Sequence, residues 1–74
     1  MNQILIFRTS VNAQKHVQQV AALFNPIKLI KQWSFDLDDS DRILRVVSLN
    51  VQPETIENLL RTEGIYCEHM EYEL

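Results

Sequence analysis

The sequence is poor in the residues that form disulfides, nucleotide-binding loops and disordered segments. It contains one cysteine, one glycine and two prolines in 74 residues. The lone Cys67 makes no intrachain disulfide, which agrees with a reducing compartment, and the lone Gly64 does not supply a glycine-rich phosphate loop. With 46% apolar and 23% charged residues, the composition is that of an ordinary globular chain. We therefore expect one domain over residues 1–74 without a linker.

The chain also lacks a basic run and a long hydrophobic segment. Lys and Arg number 7 against 10 Asp and Glu, which gives a net charge of −3. A basic face that follows phosphates is not expected, and so neither is a nucleic-acid partner. The longest apolar run, Ile4 to Phe7, is far below the ~20 residues of a membrane-spanning helix, and the N-terminus lacks the features of a signal peptide. We expect no membrane contact and a cytoplasmic location.

The first half of the chain shows a strand, a helix and a second strand. Residues Gln3 to Thr9 are rich in β-branched and aromatic residues with both faces apolar, as in a central strand. Apolar residues then recur at helical spacing from Ala13 to Phe24, and the Asn-Pro pair that follows ends this helix. Asn12 is predicted as its N-cap. Alternation returns from Ile27 to Leu37 and predicts a half-buried second strand.

The second half continues with a turn, a strand, a helix and a strand. Residues Asp38 to Asp41 predict a turn between strands, because they lack the length and ligand spacing of a calcium loop. Arg42 to Leu49 alternates as a third strand. Pro53 suits the first position of a second helix, which Gly64 ends. Ile65 to Tyr72 predicts the last strand.

The element order β-α-β-β-α-β predicts an α+β fold of the ferredoxin-like type. Right-handed crossovers place the strands in one four-stranded antiparallel sheet with both helices on one face. Trp33 lies on the alternating face of the second strand that we expect to be buried against the helices. This fold hosts many unrelated functions, so site residues must decide between them.

Three segments together share the pattern of one known family. Residues 7–17 are similar to a first strand, a Met-x-Cys-x-x-Cys loop and the start of a helix. Trp33 to Leu37 is similar to a Val-x-Val-Asp-Leu strand, and Pro53 to Gly64 followed by Tyr66 is similar to a second helix and last loop. The chain thus resembles, over nearly its whole length, the heavy-metal-associated domains of copper chaperones. The resemblance implies the ferredoxin-like fold and a soft-metal site at the first loop.

The chain departs from this family at the metal-binding loop itself. In register with the family, Val11 stands at the Met, Ala13 at the first Cys and His16 at the second Cys. Soft ions such as Cu(I) prefer thiolates, and Ala13 offers no donor atom. No bound cofactor is therefore expected. The alternative is a residual copper or zinc site in which His16 binds metal with Cys67 or His69.

The three candidate metal ligands also have plainer interpretations. His16 is expected on the exposed side of the first helix, where it would be an ordinary polar residue. Cys67 and His69 are two residues apart, so on a strand they point to the same side. A free cysteine is usually a small buried apolar residue, and we favour the core for Cys67.

An apolar patch is predicted on the sheet face opposite the helices. Its members are Ile4, Ile6, Ile43, Val47, Tyr66 and Met70, with Tyr72 beyond them. Such patches usually mark interfaces, and this one predicts a homodimer or another protein partner. The alternative is that Arg8, Arg45 and Glu68 cover much of the patch with their side chains.

These observations favour a non-catalytic module. No nucleophile triad, phosphate loop or metalloenzyme motif is present, so we do not expect an enzyme. The leading hypothesis is a heavy-metal-associated-like domain without its thiolate pair that serves in protein interaction or regulation. The alternatives are the metal-delivery protein described above and a small-molecule sensor with the same element order.

Overall fold

The computed structural model describes residues 2–70, which form four strands and two helices in one sheet-and-helix arrangement. In chain order the elements are β1 (Gln3–Thr9), α1 (Gln14–Phe24), β2 (Ile30–Asp36), β3 (Ile43–Ser48), α2 (Pro53–Thr62) and β4 (Cys67–Met70). The strands pair antiparallel in the order β2-β3-β1-β4. The ferredoxin-like prediction is confirmed. No helix within residues 2–70 is long and apolar enough to cross a membrane.

The core lies between one face of the sheet and the two helices. Strand residues of this face, such as Phe7 of β1 and Leu44 of β3, are fully buried and pack with Phe24 of α1 and Ile56 of α2. Both helices therefore cover the same face. Phe7 and Leu44 are also direct partners in the β1–β3 ladder, which places the best-buried pair at the centre of the sheet.

The start of α1 differs from the prediction. Ala13, and not Asn12, is the N-cap, and no side chain caps this end. The backbone N–H of Asn12, one residue before the N-cap, donates to His16 Nδ1 (3.4 Å). The imidazole of the first turn thus satisfies a backbone donor just before the helix, a task usually performed by an N-cap side chain or an N3 carboxylate.

The ends of α2 follow the sequence closely. Pro53 occupies the first turn as predicted. Gly64 has φ +75°, its N–H donates to Arg61 O (2.9 Å), and the N–H of Ile65 donates to Leu60 O (3.0 Å). This pair of bonds is the Schellman motif, which requires a left-handed residue that glycine supplies without steric cost. The motif directs the chain into β4.

One strand begins later than predicted, and the last strand is described only in part of its predicted range. β2 begins at Ile30 and not at Ile27, because residues 27–29 form a turn closed by the Ile30 N–H on Ile27 O (3.1 Å). A register shift between Ile30 and Gln32 follows directly. For the last strand, the structure describes Cys67–Met70, and the predicted extension to Tyr72 lies outside the described residues.

Trp33 packs against the core on the predicted face, but it is only half-buried and thus less buried than expected. Its ring makes edge-on contacts with Phe24 (centroids 5.6 Å apart) and Phe35 (6.0 Å). The reason is its position on β2, which is an edge strand. One side of the indole has no neighbouring strand beside it.

The predicted turn between β2 and β3 is confirmed. Asp39 Oδ1 accepts the N–H of Asp41 (2.8 Å), a side-chain bond typical of tight turns. Arg42 has φ +50°, and its guanidinium donates to Leu37 O (2.6 Å). The acidic side chains thus shape a hairpin connection.

Candidate functional site

The loop between β1 and α1, residues 10–13, is anchored to the β2–β3 turn through Thr9. This threonine is buried; its hydroxyl donates to Arg42 O (2.6 Å) and accepts the N–H of Val11 (3.2 Å). Its own N–H donates to Asp41 O (3.1 Å). Three bonds from one residue therefore fix where the loop leaves the sheet.

The same loop is joined to the connection between α2 and β4. The Ser10 N–H donates to Tyr66 O (3.1 Å), and the Tyr66 N–H donates to Ser10 Oγ (2.9 Å). This reciprocal pair holds the two loops side by side at one end of the sheet. The hydrogen bonds therefore fix the two loops as one continuous surface at this end of the sheet.

The side chains on the first loop are poor metal ligands. Val11 is fully buried and belongs to the core cluster, and Ala13 carries no donor atom. His16 is half-buried on the first turn of α1, and its Nδ1 already accepts the Asn12 N–H. The imidazole is engaged in holding the helix start.

Cys67 lies in the core, as favoured from the sequence. It is fully buried at the start of β4, opposite Thr9 in the ladder. Burial, with the negative charge of Glu57 as a second cause, raises the pKa of the thiol to about 12. The thiol is therefore protonated at neutral pH, and a protonated thiol is not the form that binds metal.

His69 lies on the same side of β4 but makes different contacts. It is half-buried and opposite Phe7, with the two rings 5.4 Å apart and tilted. Its backbone N–H donates to Glu57 Oε2 of α2 (2.8 Å). His69 thus contacts an aromatic core residue and helix α2, whereas His16 accepts a hydrogen bond from the backbone of the first loop. The two imidazoles have different surroundings.

The residues present do not fit the soft-metal site that the family resemblance implies. Such a site needs two thiolates at the first loop, and positions 13 and 16 are Ala and His. Within residues 2–70, no three His, Cys, Asp or Glu side chains are grouped so that they could hold a metal ion. Of the three positions in register with the family's metal-binding loop, 11, 13 and 16, His16 alone has a side chain that could bind a metal.

The open sheet face carries the apolar residues predicted as an interface. Ile4 is 67% exposed and pairs with the half-buried Val47, while Ile6 pairs with the half-buried Met70. These four residues, Ile4, Ile6, Val47 and Met70, form what we call the open-face patch. Arg45 pairs with Ile6 and borders the patch.

Two residues of the predicted interface lie differently. Ile43 is only 5% exposed, so it contributes almost no surface. Arg8 follows Phe7 in β1, and the pairing of Phe7 with Leu44 therefore places Arg8 beside Ile43. The Arg8 Nε is 3.3 Å from Asp41 Oδ1, and its Nη1 is 4.0 Å from Glu68 Oε1. At this corner the ion-paired side chains of Arg8, Asp41 and Glu68 lie near the buried Ile43, which agrees in part with the alternative that the sequence left open.

Tyr66 is 47% exposed and belongs to the charged corner. Its hydroxyl donates to Glu68 Oε2 (2.5 Å), and this bond is the first cause of a raised pKa of the phenol. The tyrosine is therefore next to the loop contact with Ser10 and apart from the open-face patch. It is available to a partner that approaches the loop end.

Sequence reasoning missed three residues that organise this end of the molecule. Thr9 and Ser10 hold the loop by their hydroxyls, and Glu57 accepts the His69 N–H. Two consecutive hydroxyl residues after a strand are a usable signal for a bonded loop. Glu57 had no such signal, because its partner is a backbone group 12 residues away.

Comparison with known proteins gives matches at the level of structure alone. No family model matches the sequence, and no curated protein matches it. A copper transporter domain from yeast, solved in apo and Cu(I)-loaded states, is similar with a TM-score of 0.79 and 14% identity, covering 95% of this chain and 97% of its own.

A second solved structure gives the same result. The apo heavy-metal-associated domain of a copper chaperone for superoxide dismutase is similar with a TM-score of 0.78 and 16% identity. The match covers 100% of this chain and 76% of that one. At this level of identity the likeness concerns the fold. The chain has the ferredoxin-like fold found in the heavy-metal-associated domains of copper transport proteins.

Proposed function

We propose that this chain is a non-catalytic protein-interaction or regulatory module built on the heavy-metal-associated fold. It uses that scaffold without the thiolate pair of a metal carrier. The proposal does not depend on sequence identity to the two copper proteins. It depends on which chemical groups this chain places at the first loop and on the open sheet face.

The single observation that supports the proposal most is the composition of the first loop. Val11 is turned into the core, Ala13 is the N-cap without a donor, and His16 uses Nδ1 to accept a backbone N–H. The loop is also bonded to two neighbouring segments through Thr9 and Ser10. Such a loop is suited to holding a fixed surface shape and poorly suited to exchanging a soft ion.

The open-face patch supports an interaction role. Ile4 exposes two-thirds of its surface, and the patch is bordered by Arg45 on one side. A partner with an apolar centre and an acidic rim fits this pattern, since interfaces commonly combine an apolar core with a polar rim. We assign this patch to a protein partner.

The first test compares Cu(I) binding by the wild type and His16→Ala in competition with a chromophoric chelator. We expect the wild type to bind no better than a single exposed imidazole, and His16→Ala to change little. Tight one-to-one binding that disappears in His16→Ala would instead establish the metal-delivery alternative. Cys67→Ser and His69→Ala would then identify the other ligands.

The second test concerns the partner surface. Affinity capture from cells that produce the protein is compared between wild type, Val47→Lys and Gln18→Lys, the last being an exposed α1 position on the far side of the sheet. We expect a partner that wild type and Gln18→Lys retain and Val47→Lys loses. A set of captured proteins identical for all three chains would contradict the assignment of the open-face patch.

A further inference from the structure

The two edges of the sheet are protected very differently. On β4, the outer edge strand of four residues, the backbone N–H of His69 is occupied by Glu57 Oε2 (2.8 Å). On β2, the other edge, seven residues pair only with β3. Within residues 2–70, no side chain hydrogen-bonds to the backbone of residues 31–36. An edge of this kind is a template for another strand.

The side chains along β2 leave an open hollow at this edge. Trp33, Phe35 and Leu37 line it from the helix side, with Val17 of α1 behind them. Trp33 and Phe35 are each half-buried although they are large aromatic residues. A strand added at the edge would cover the exposed sides of both rings, and aromatic cross-strand pairs stabilise antiparallel sheets.

The charges along this segment differ in sign at its two ends. Lys28 and Lys31 are exposed at the beginning, whereas Asp36 is half-buried and Asp38 exposed at the end. Two such segments running antiparallel would place the basic end of each beside the acidic end of the other. The edge is thus electrostatically complementary to itself, and opposite charges across an interface favour one register over others.

We propose that β2 pairs antiparallel with β2 of a second copy of this chain, extending the sheet across a two-fold axis. In one register, Trp33 of each copy lies opposite Phe35 of the other, and the two faces of the sheet stay aligned. This register puts Ser34 on the two-fold axis. The register shift between Ile30 and Gln32 bends the strand beyond this stretch and limits the paired length. The contact is small, so the dimer is weak and concentration-dependent.

This inference goes beyond the proposed function and uses a different surface. The β2 edge and the open-face patch share no residue, so a partner can occupy one while a second copy occupies the other. A result that contradicts one of the two proposals therefore leaves the other standing.

The test uses two charge-reversed variants and their mixture in sedimentation velocity across a concentration series. One variant is Lys28→Glu with Lys31→Glu, and the other is Asp36→Lys with Asp38→Lys. Each places like charges at both ends of the homodimer, so we expect each to weaken dimerisation by about tenfold or more. An equimolar mixture restores opposite charges at both ends, so we expect it to dimerise like the wild type.

Several results would overturn the proposal. A wild type that stays monomeric at the highest soluble concentration excludes the dimer. Variants that dimerise like the wild type exclude the β2 edge, as does a dimer abolished by Val47→Lys on the open-face patch. Weakened variants that the mixture does not restore exclude the antiparallel arrangement.

A cross-linking measurement keeps the test valid if a charge-reversed chain does not fold. Ser34 is exposed, and in the proposed register it faces itself across the axis. Ser34→Cys in a Cys67→Ser background should form an intermolecular disulfide under mild oxidation, and Gln18→Cys in the same background serves as the matched control. Equal cross-linking of the two would contradict the register.

Discussion

The layer between sheet and helices and the loop end of the same sheet are built on different principles. The layer consists of buried apolar side chains from both helices and all four strands, Phe7, Leu44, Phe24 and Ile56 among them. The loop end is held by hydroxyl-to-backbone bonds of Thr9 and Ser10, and the His16 imidazole on the adjoining first turn of α1 accepts the Asn12 N–H. The fold is shared with two copper-protein domains, whereas positions 13 and 16 of this chain are Ala and His. Fold and site are specified by separate residues.

The largest expected effect comes from breaking the core layer. Phe7 is fully buried on central strand β1, and Phe7→Ala should destabilise the fold by about 3–5 kcal/mol, a large part of the stability of so small a domain. Urea unfolding followed by circular dichroism measures it. The matched control on the same strand is Ile4→Ala, which at 67% exposure should change the free energy of unfolding by less than about 1 kcal/mol. Equal losses would mean that the faces of β1 are assigned backwards.

A smaller effect is expected at the edge of the same layer. Because Trp33 is half-buried, Trp33→Ala should cost about 1–3 kcal/mol, less than the cost of truncating a fully buried aromatic ring. As the only tryptophan, it also reports its own environment through native fluorescence. We expect emission between the buried and exposed limits. A cost as large as that of Phe7→Ala, with fully buried emission, would contradict the edge position.

The last effect appears only at alkaline pH, and it tests whether Cys67 belongs to the layer or to the loop end. Its folded pKa of about 12 lies above the ordinary value of 9.0, so the unfolded chain loses this proton first as pH rises. The contribution of Cys67 is full below pH 9 and is lost between about pH 9 and 12. Wild type should thus lose more stability than Cys67→Ala across this window. Parallel pH profiles of the two chains would show that the thiol is not buried.

Much of the fold could be predicted because apolar spacing specifies it. β1 has the predicted bounds, and Pro53 and Gly64 mark the ends of α2 through backbone chemistry that a sequence displays. Asn12 was wrongly predicted as the N-cap, since the N-cap is Ala13 and the Asn12 N–H donates to His16 Nδ1. Apolar spacing does not fix a helix start to one residue.

The candidate site was less predictable than the fold. Sequence alone showed that thiolates are absent from positions 13 and 16, since this needs only the residue types. It did not show that Arg8 pairs with Asp41 and Glu68 near a buried Ile43, or that Glu57 occupies an edge N–H. These contacts join residues distant in the chain. Neither hydrophobic periodicity nor local turn chemistry carries information about them.

The most direct measurement of the central claim is Cu(I) affinity of the variant Ala13→Cys with His16→Cys. If the scaffold is that of a copper-binding domain without its ligands, two cysteines at the N-cap and first turn of α1 should create a two-thiolate site. We expect a large gain over the wild type in competition with a chromophoric chelator, because thiolates suit Cu(I) strongly. No gain in folded, reduced protein would contradict the account, since it would mean that the loop of this chain does not place positions 13 and 16 as a metal-binding loop does.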